Sequence, residues 1–236
     1  MFPDDPLLSL IRVPTEKAGL YIAGFYDDGT LSDAEVSCQL PKLELMKAQA
    51  ITNSEECRHF LIRRYFQRRF VSEVTGGHLS FDRLQMEQKL DKRPVCLDFP
   101  DLNLTFSSSA KMYVAAASNE HPLGIDIEQR RPVVNALEIA ERFFSANEVS
   151  QLKNVGELSR NEHFLMIWTA KEAGLKALGK GIVDGMNNFV VSINAEEQDC
   201  SITRATAENE SWSLKYYHDF TNHLVALVQP TCGQTD

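Results

Sequence analysis

The sequence predicts an α+β protein built from two similar halves that meet near residue 120. Two observations carry this reading. Short apolar runs bounded by Gly, Pro, Asp and Ser clusters are interleaved with longer stretches of helical period, in the order strand, helices, strands, and that order then recurs. No exact repeat or low-complexity tract accompanies it, so the similarity lies in element order. At 236 residues the chain suffices for one large domain or two small ones, and its 43% hydrophobic content supplies a core.

Taken in order, a Pro-containing lead precedes Leu20–Tyr26, an expected strand closed by the Asp27-Asp28-Gly29 turn. Helical spacing runs from about Pro41 to Thr75, with Thr52 or Asn53 as N-cap before SEECRHFLIRRYFQRRFVSEV and Gly76-Gly77 as the stop. A polar segment, Phe81 to Lys92, leads to Arg93-Pro94. Strands are expected at Leu102–Phe106 and Met112–Ala117, joined by a turn at Ser107-Ser108-Ser109. Pro122-Leu123-Gly124 opens a strand from Ile125 to Glu128, which Arg130-Arg131-Pro132 stops. Helices follow at Ala136–Phe143, after the SANE capping signal at Ser145, and at Asn161–Leu178, where Gly179-Lys180-Gly181 ends the last. Strands close the chain at Phe189–Ile193, Trp212–Tyr217 and Leu224–Val228.

Composition excludes several classes. No apolar run approaches the roughly 20 residues that span a bilayer, and MFPDDPLLSLIRVP lacks the basic start of an export signal. A cytoplasmic protein with no membrane attachment is expected. Cys38, Cys57, Cys96, Cys200 and Cys232 are scattered, with no C-x-x-C pair, so free thiols are expected rather than a disulfide framework or zinc site. The six histidines show no H-E-x-x-H spacing. A net charge of −9 opposes bulk attraction to nucleic acid, and Arg58, Arg63, Arg64, Arg68 and Arg69 do not keep to one helix face.

In GIDIE, Asp126 and Glu128 stand two apart on a strand and leave on the same face, with Ile125 and Ile127 opposite. That spacing describes any half-buried strand with acids in water. It also describes two hard oxygen ligands, since Mg²⁺ takes a few carboxylates and completes its shell with phosphate and water. In WTAKEAGLKALGKG, Trp168, Glu172 and Lys176 recur at i, i+4 and i+8. A Glu→Lys surface pair beside a buried Trp fits that spacing, and so does a third acid ligand. Lys171, Lys176 and Lys180 gather around the acid and suit a highly charged anion.

Together, Gly124–Glu128 and Trp168–Lys176 resemble the G-[IV]-D-[IL]-E strand and W-[ST]-x-K-E-[AS]-x-x-K helix of the 4′-phosphopantetheinyl transferase superfamily, in its larger pseudo-dimeric, Sfp-like type. The linking RFFSANEVSQL (Arg142–Leu152) is similar to the family's R-F-F-[ST]-x-x-E segment, and RRYFQRRFVSEVTG (Arg63–Gly76) to its R-x-x-L-R-x-L-L helix. Arg93-Pro94 stands where a G-K-P element lies. One departure concerns the family's F-N-[IL]-S-H-S motif, whose His contacts coenzyme A phosphate. The ungapped register from Asp126 puts Ser109 at the His position, within FSSSA. A second register, through Leu102–Ser107, puts Phe106 there.

The resemblance implies two α/β halves related by a pseudo-two-fold, residues 1–118 and 119–236, the second carrying the metal motifs. Each would be a small, mostly antiparallel sheet packed with helices, in a monomer. It further implies transfer of 4′-phosphopantetheine from coenzyme A to a serine of an acyl, peptidyl or aryl carrier protein, with release of 3′,5′-ADP. Asp126, Glu128 and Glu172 would hold Mg²⁺. Glu172 is the candidate general base, with Glu128 or a water as alternatives, and Lys176 would stabilise the bridging oxygen or the leaving phosphate. Arg93, an arginine of the 58–69 helix with Arg64 the best-aligned, Ser108, Ser109, Lys171 and Lys176 are the candidate coenzyme A contacts, and Arg130, Arg131 and Arg142 the candidate steering charges for the carrier. The missing His also keeps open a relative that binds coenzyme A or a carrier without transfer.

Overall fold

A computed structural model describes residues 11–13, 15, 19–80, 82–87, 93–181, 185–194, 199–205, 210–218 and 220–231. The lead before residue 11, Phe81 and residues 88–92 of the expected polar segment, and Cys232 lie outside the described residues.

The first elements are β1 (Ile11–Val13), β2 (Leu20–Tyr26), α1 (Asp33–Ser37), α2 (Lys42–Gln49), α3 (Ser54–Val74), and the short pair β3 (Met86–Glu87) and β4 (Val95–Cys96). Then come β5 (Asn103–Ser109), β6 (Met112–Ser118), β7 (Gly124–Gln129), α4 (Ala136–Phe143), α5 (Ala146–Lys153) and α6 (Glu157–Leu178). A 3₁₀ turn (Met186–Asn188) leads to β8 (Phe189–Asn194), β9 (Asp199–Arg204), β10 (Trp212–Tyr217) and β11 (His223–Pro230). The fold is α+β with small antiparallel sheets.

One sheet has the order β1-β2-β6-β5 and the other β10-β11-β7, all antiparallel, beside a β8–β9 ladder. Strand alternation sorts the side chains into cores. On β6, Tyr113, Ala115 and Ala117 join Phe25, Tyr65 and Phe66 in a cluster beneath α3, whereas Val114 and Ala116 face the opposite way. There they meet Ile125 and Ile127 of β7 and Val225 and Leu227 of β11. Leu224 and Ala226 of β11 turn toward α6, joining Phe164, Ile167 and Ala170.

Local signals set the helix ends. Asn53 caps α3 by accepting from the Glu55 and Glu56 amides, and Ser145 with Glu148 forms a capping box on α5. Gly179 closes α6 with φ +68. The expected turn at Ser107-Ser109 is corrected: β5 continues through Ser109, which pairs with Met112, and the reversal falls on Ala110 and Lys111. The reason is tertiary. Thr105 Oγ1, Ser107 Oγ and Ser109 Oγ all hydrogen-bond to β7, which holds the strand extended despite its turn-like composition.

Candidate active site

Close approach of β7 to α6 creates the site. Gly124 opens β7 directly against the α6 backbone: a Cβ there would stand 1.8 Å from the Ala173 carbonyl oxygen and 2.6 Å from the Ala177 nitrogen. With no side chain between strand and helix, Asp126 and Glu128 come up against Glu172 and Lys176.

The helix motif then reads residue by residue. Trp168 packs with Phe143, Phe144 and Phe164. Lys171 is wholly buried and donates to both Glu148 oxygens at 2.9 and 2.7 Å and to the Phe189 carbonyl at 2.6 Å. Ala173 receives Gly124. Lys176 Nζ donates to Asp126 Oδ1 at 2.7 Å, Ser107 Oγ at 2.8 Å and the Ile125 carbonyl at 3.2 Å.

Charge is concentrated around Asp126, which is 5% exposed. Its Oδ1 accepts from Lys176 and, at 2.7 Å, from Ser107, while Oδ2 is buried without a hydrogen-bond partner among the described residues. Burial and then Asp126 push the Glu172 carboxyl up to about 7, with Glu128 adding to the rise and Lys176 opposing it. Burial and Asp126 likewise raise Glu128, against the Ser109 hydrogen bond and the charges of Arg131 and Lys176. Three mutually repelling carboxylates thus share one lysine. Among the described residues no three acidic, His or Cys side chains close into a metal cage; the Lys176 ammonium stands on Asp126 Oδ1 instead.

Beside these acids lies a cleft of about 380 Å³, walled by Phe66, Leu104, Phe106 and Tyr113 and carrying Arg63, Arg93, Lys176 and Lys180 with Ser107 and Ser108. Arg93 donates to the Ala177 carbonyl in the last turn of α6, where a cation complements the helix dipole. Its Nε is buried with no hydrogen-bond partner among the described residues.

The profile of the 4′-phosphopantetheinyl transferase superfamily matches residues 122–228, which include both motif elements. The chain is 30% identical over 183 residues to 4′-phosphopantetheinyl transferase ffp of Bacillus subtilis, covering 74% of this chain and 77% of that protein. The chain belongs to the 4′-phosphopantetheinyl transferase superfamily. It is also 30% identical over 185 residues to 4′-phosphopantetheinyl transferase Sfp of Bacillus subtilis (strain 168), covering 75% and 78%. With 4′-phosphopantetheinyl transferase gsp of Aneurinibacillus migulanus it shares 39% over 98 residues, 42% of this chain and 40% of that one. It is an enzyme of the transferase's larger, Sfp-like type.

Against that membership the expected residues divide. Asp126, Glu128, Glu172 and Lys176 converge, and Arg93 and Ser108 line the cleft. Arg64 does not reach it: the guanidinium forks onto Glu44 and Gln67, facing α2, while its neighbour Arg63 lines the cleft. Lys171 is also withdrawn, because all three ammonium donors are spent on Glu148 and Phe189. Ser109 Oγ donates to Glu128 Oε2 at 3.3 Å and accepts from the Gln129 amide, and Phe106 packs edge-on against Phe70. Neither carries a cation. Arg130 is bound to Glu162 and the His223 carbonyl, whereas Arg131 and Arg142 are exposed.

Sequence reasoning missed Ser107 as a partner of Asp126, and among the arginines of the 58–69 helix it favoured Arg64 where the structure puts Arg63 in the cleft. The hydroxyl alternation Thr105, Ser107, Ser109 is the period-2 signal that identifies the first.

Proposed function

We propose that this enzyme transfers the 4′-phosphopantetheine moiety of coenzyme A to a serine of an acyl, peptidyl or aryl carrier protein, with Mg²⁺, releasing 3′,5′-ADP. The observation that carries the reading is the crowding of Asp126, Glu128 and Glu172 around Lys176 at the edge of a cationic cleft. The donor set fits a hard dication: an orphaned buried Asp126 oxygen beside two carboxyls held above their ordinary range. When bound, such an ion would neutralise charge on the pyrophosphate.

The residues have separable tasks. Arg63, Arg93 and Lys180 would hold the donor's phosphates, and the buried Arg93 Nε would gain the partner it lacks. The carrier serine oxygen attacks the pantetheine-side phosphorus, the bond from that phosphorus to the bridging oxygen breaks, and 3′,5′-ADP departs with the electron pair. Glu172 takes the serine proton as general base. Lys176 faces Asp126 and Ser107 and would stabilise the developing charge on the leaving oxygen. Exposed Arg131 and Arg142 would steer an acidic carrier. The division at residues 118 and 119 and a monomeric, cytoplasmic enzyme belong to the same reading.

Chromatographic detection of 3′,5′-ADP tests this reaction. Release that needs coenzyme A, an apo carrier protein and Mg²⁺ together is expected. Coenzyme A binding with no release on any carrier would identify a binding-only relative.

A further inference from the structure

Thr105, Ser107 and Ser109 of β5 all reach β7 with their hydroxyls, but they do not grip the same groups. Thr105 Oγ1 accepts from the Ile125 amide and Ser109 Oγ from the Gln129 amide, so both hold the backbone of β7. Ser107 stands between them and bonds to side chains. Its Oγ donates to Asp126 Oδ1 at 2.7 Å and accepts from Lys176 Nζ at 2.8 Å. Lys176 closes the triangle on the same Oδ1 at 2.7 Å and is steadied by the Ile125 carbonyl at 3.2 Å. Asp126 is thereby held through one oxygen. Oδ1 takes two donors, while Oδ2 is buried with no hydrogen-bond partner among the described residues. The terminal torsion of a carboxylate is soft, and a single ammonium could be met by either oxygen. A second donor, arriving from β5 while Lys176 arrives from α6, fixes which oxygen is occupied and which is bare.

We propose that Ser107 is a positioning residue for the divalent cation: its hydroxyl keeps Lys176 on Asp126 Oδ1, so that Oδ2 is the oxygen presented to the metal. The assignment rests on the proposed metal-dependent transfer and deepens it. It needs no contact between Ser107 and the donor substrate. A buried carboxylate oxygen without a partner is unfavourable until a cation meets it, and the bond that keeps Oδ2 bare therefore prepares the ligand. Ser109 offers Glu128 Oε2 a longer bond, 3.3 Å, which leaves Ser107 as the firmer of the two hydroxyl holds on the acids of β7.

The test is uptake of Mn²⁺, read as loss of the free-ion EPR signal, by the enzyme saturated with coenzyme A, with coenzyme A alone as the blank. Wild type, Ser107→Ala and Ser107→Thr are compared. Removing a hydrogen bond to a ligating side chain corresponds to a loss of roughly ten- to a hundred-fold in metal affinity. Ser107→Ala should weaken Mn²⁺ by about that factor, and Ser107→Thr, which keeps the hydroxyl, should stay within about three-fold of wild type. Urea denaturation of the same variants exposes a hydroxyl that only pins β5 to β7: a lowered midpoint with unchanged Mn²⁺ affinity overturns the assignment. Equal weakening in Ser107→Ala and Ser107→Thr overturns it too. A wild type that takes up no Mn²⁺ overturns the assignment and the metal-dependent reading together, whereas equal uptake by wild type and Ser107→Ala overturns the assignment alone.

Discussion

Gly124 lies against the Ala173 carbonyl so closely that a methyl group on residue 124 would stand 1.8 Å from the oxygen. The contact is backbone to backbone, so neither side can relieve it by a rotamer change. It sets the spacing of β7 from α6 and hence the meeting of the four charged side chains. Gly124→Ala should therefore push the strand off the helix, with overpacking costing at least about 1–3 kcal/mol. Urea denaturation measures the loss, and turnover should fall in whatever fraction remains folded. A fully stable, fully active variant would contradict this account of the site's assembly.

Lys171 and Glu148 form a second, wholly buried pair whose role is architectural. Glu148 also closes the α5 capping box and accepts from the Val191 amide, so one carboxylate joins α5, α6 and β8. Removing one member strands a buried charge, and Lys171→Ala should cost about 3–5 kcal/mol in chemical denaturation. Under conditions where the variant is still folded, coenzyme A affinity should be unchanged. A large affinity loss with little destabilisation would return Lys171 to the binding site.

Arg64 and Arg93 should separate in the opposite sense. Arg64 shares Glu44 with Arg68, so Arg64→Ala should lower stability by about 1–3 kcal/mol and leave KM for coenzyme A alone. Arg93→Ala should raise that KM roughly ten-fold or more, since its guanidinium lines the cleft. Steady-state kinetics beside thermal melts reads both.

The raised Glu172 carboxyl makes stability depend on pH in the metal-free protein. Its folded-state pKa of about 7 exceeds the ordinary 4.5, so between those values the folded chain binds more protons than the unfolded one. Stability contributed by the protonated form is present at the acid end and is lost as pH rises through that window. Glu128 is shifted in the same direction. Glu172→Gln should flatten the decline between about pH 4.5 and pH 7, and Mg²⁺, favouring the ionised carboxylates, should reverse it in the wild type. An identical pH dependence in wild type and Glu172→Gln would contradict the assigned environment.

The elements that sequence made legible are those whose signal is local. Leu20–Tyr26 and Trp212–Tyr217 stand where the apolar runs put them, and the SANE box starts α5. Helix α6 begins at Glu157, a turn before the expected Asn161. Helix α1 went unread although Ser32 and Glu35 form a capping box, because only five residues follow it. Strand β9 went unread because its alternation of Cys200 and Ile202 with Ser201 and Thr203 is short and follows the acidic Glu196-Glu197.

The site divides along the same line. Asp126, Glu128, Glu172 and Lys176 were legible because one strand period and one helix period fix their faces. The separation of Lys171 from Glu172 was not, since adjacent helix residues lie about 100° apart and only packing decides which faces a cleft. Nor was the exchange of Arg64 for Arg63. That depends on Glu44, a residue twenty positions away that α2 brings under Arg64.

The most direct test of the central claim is intact-protein mass spectrometry of an apo carrier protein incubated with this enzyme, coenzyme A and Mg²⁺, beside Asp126→Ala. The account predicts one phosphopantetheine increment with the wild type, and none with the variant or after chelation of the metal. An increment of equal yield from folded Asp126→Ala would contradict it.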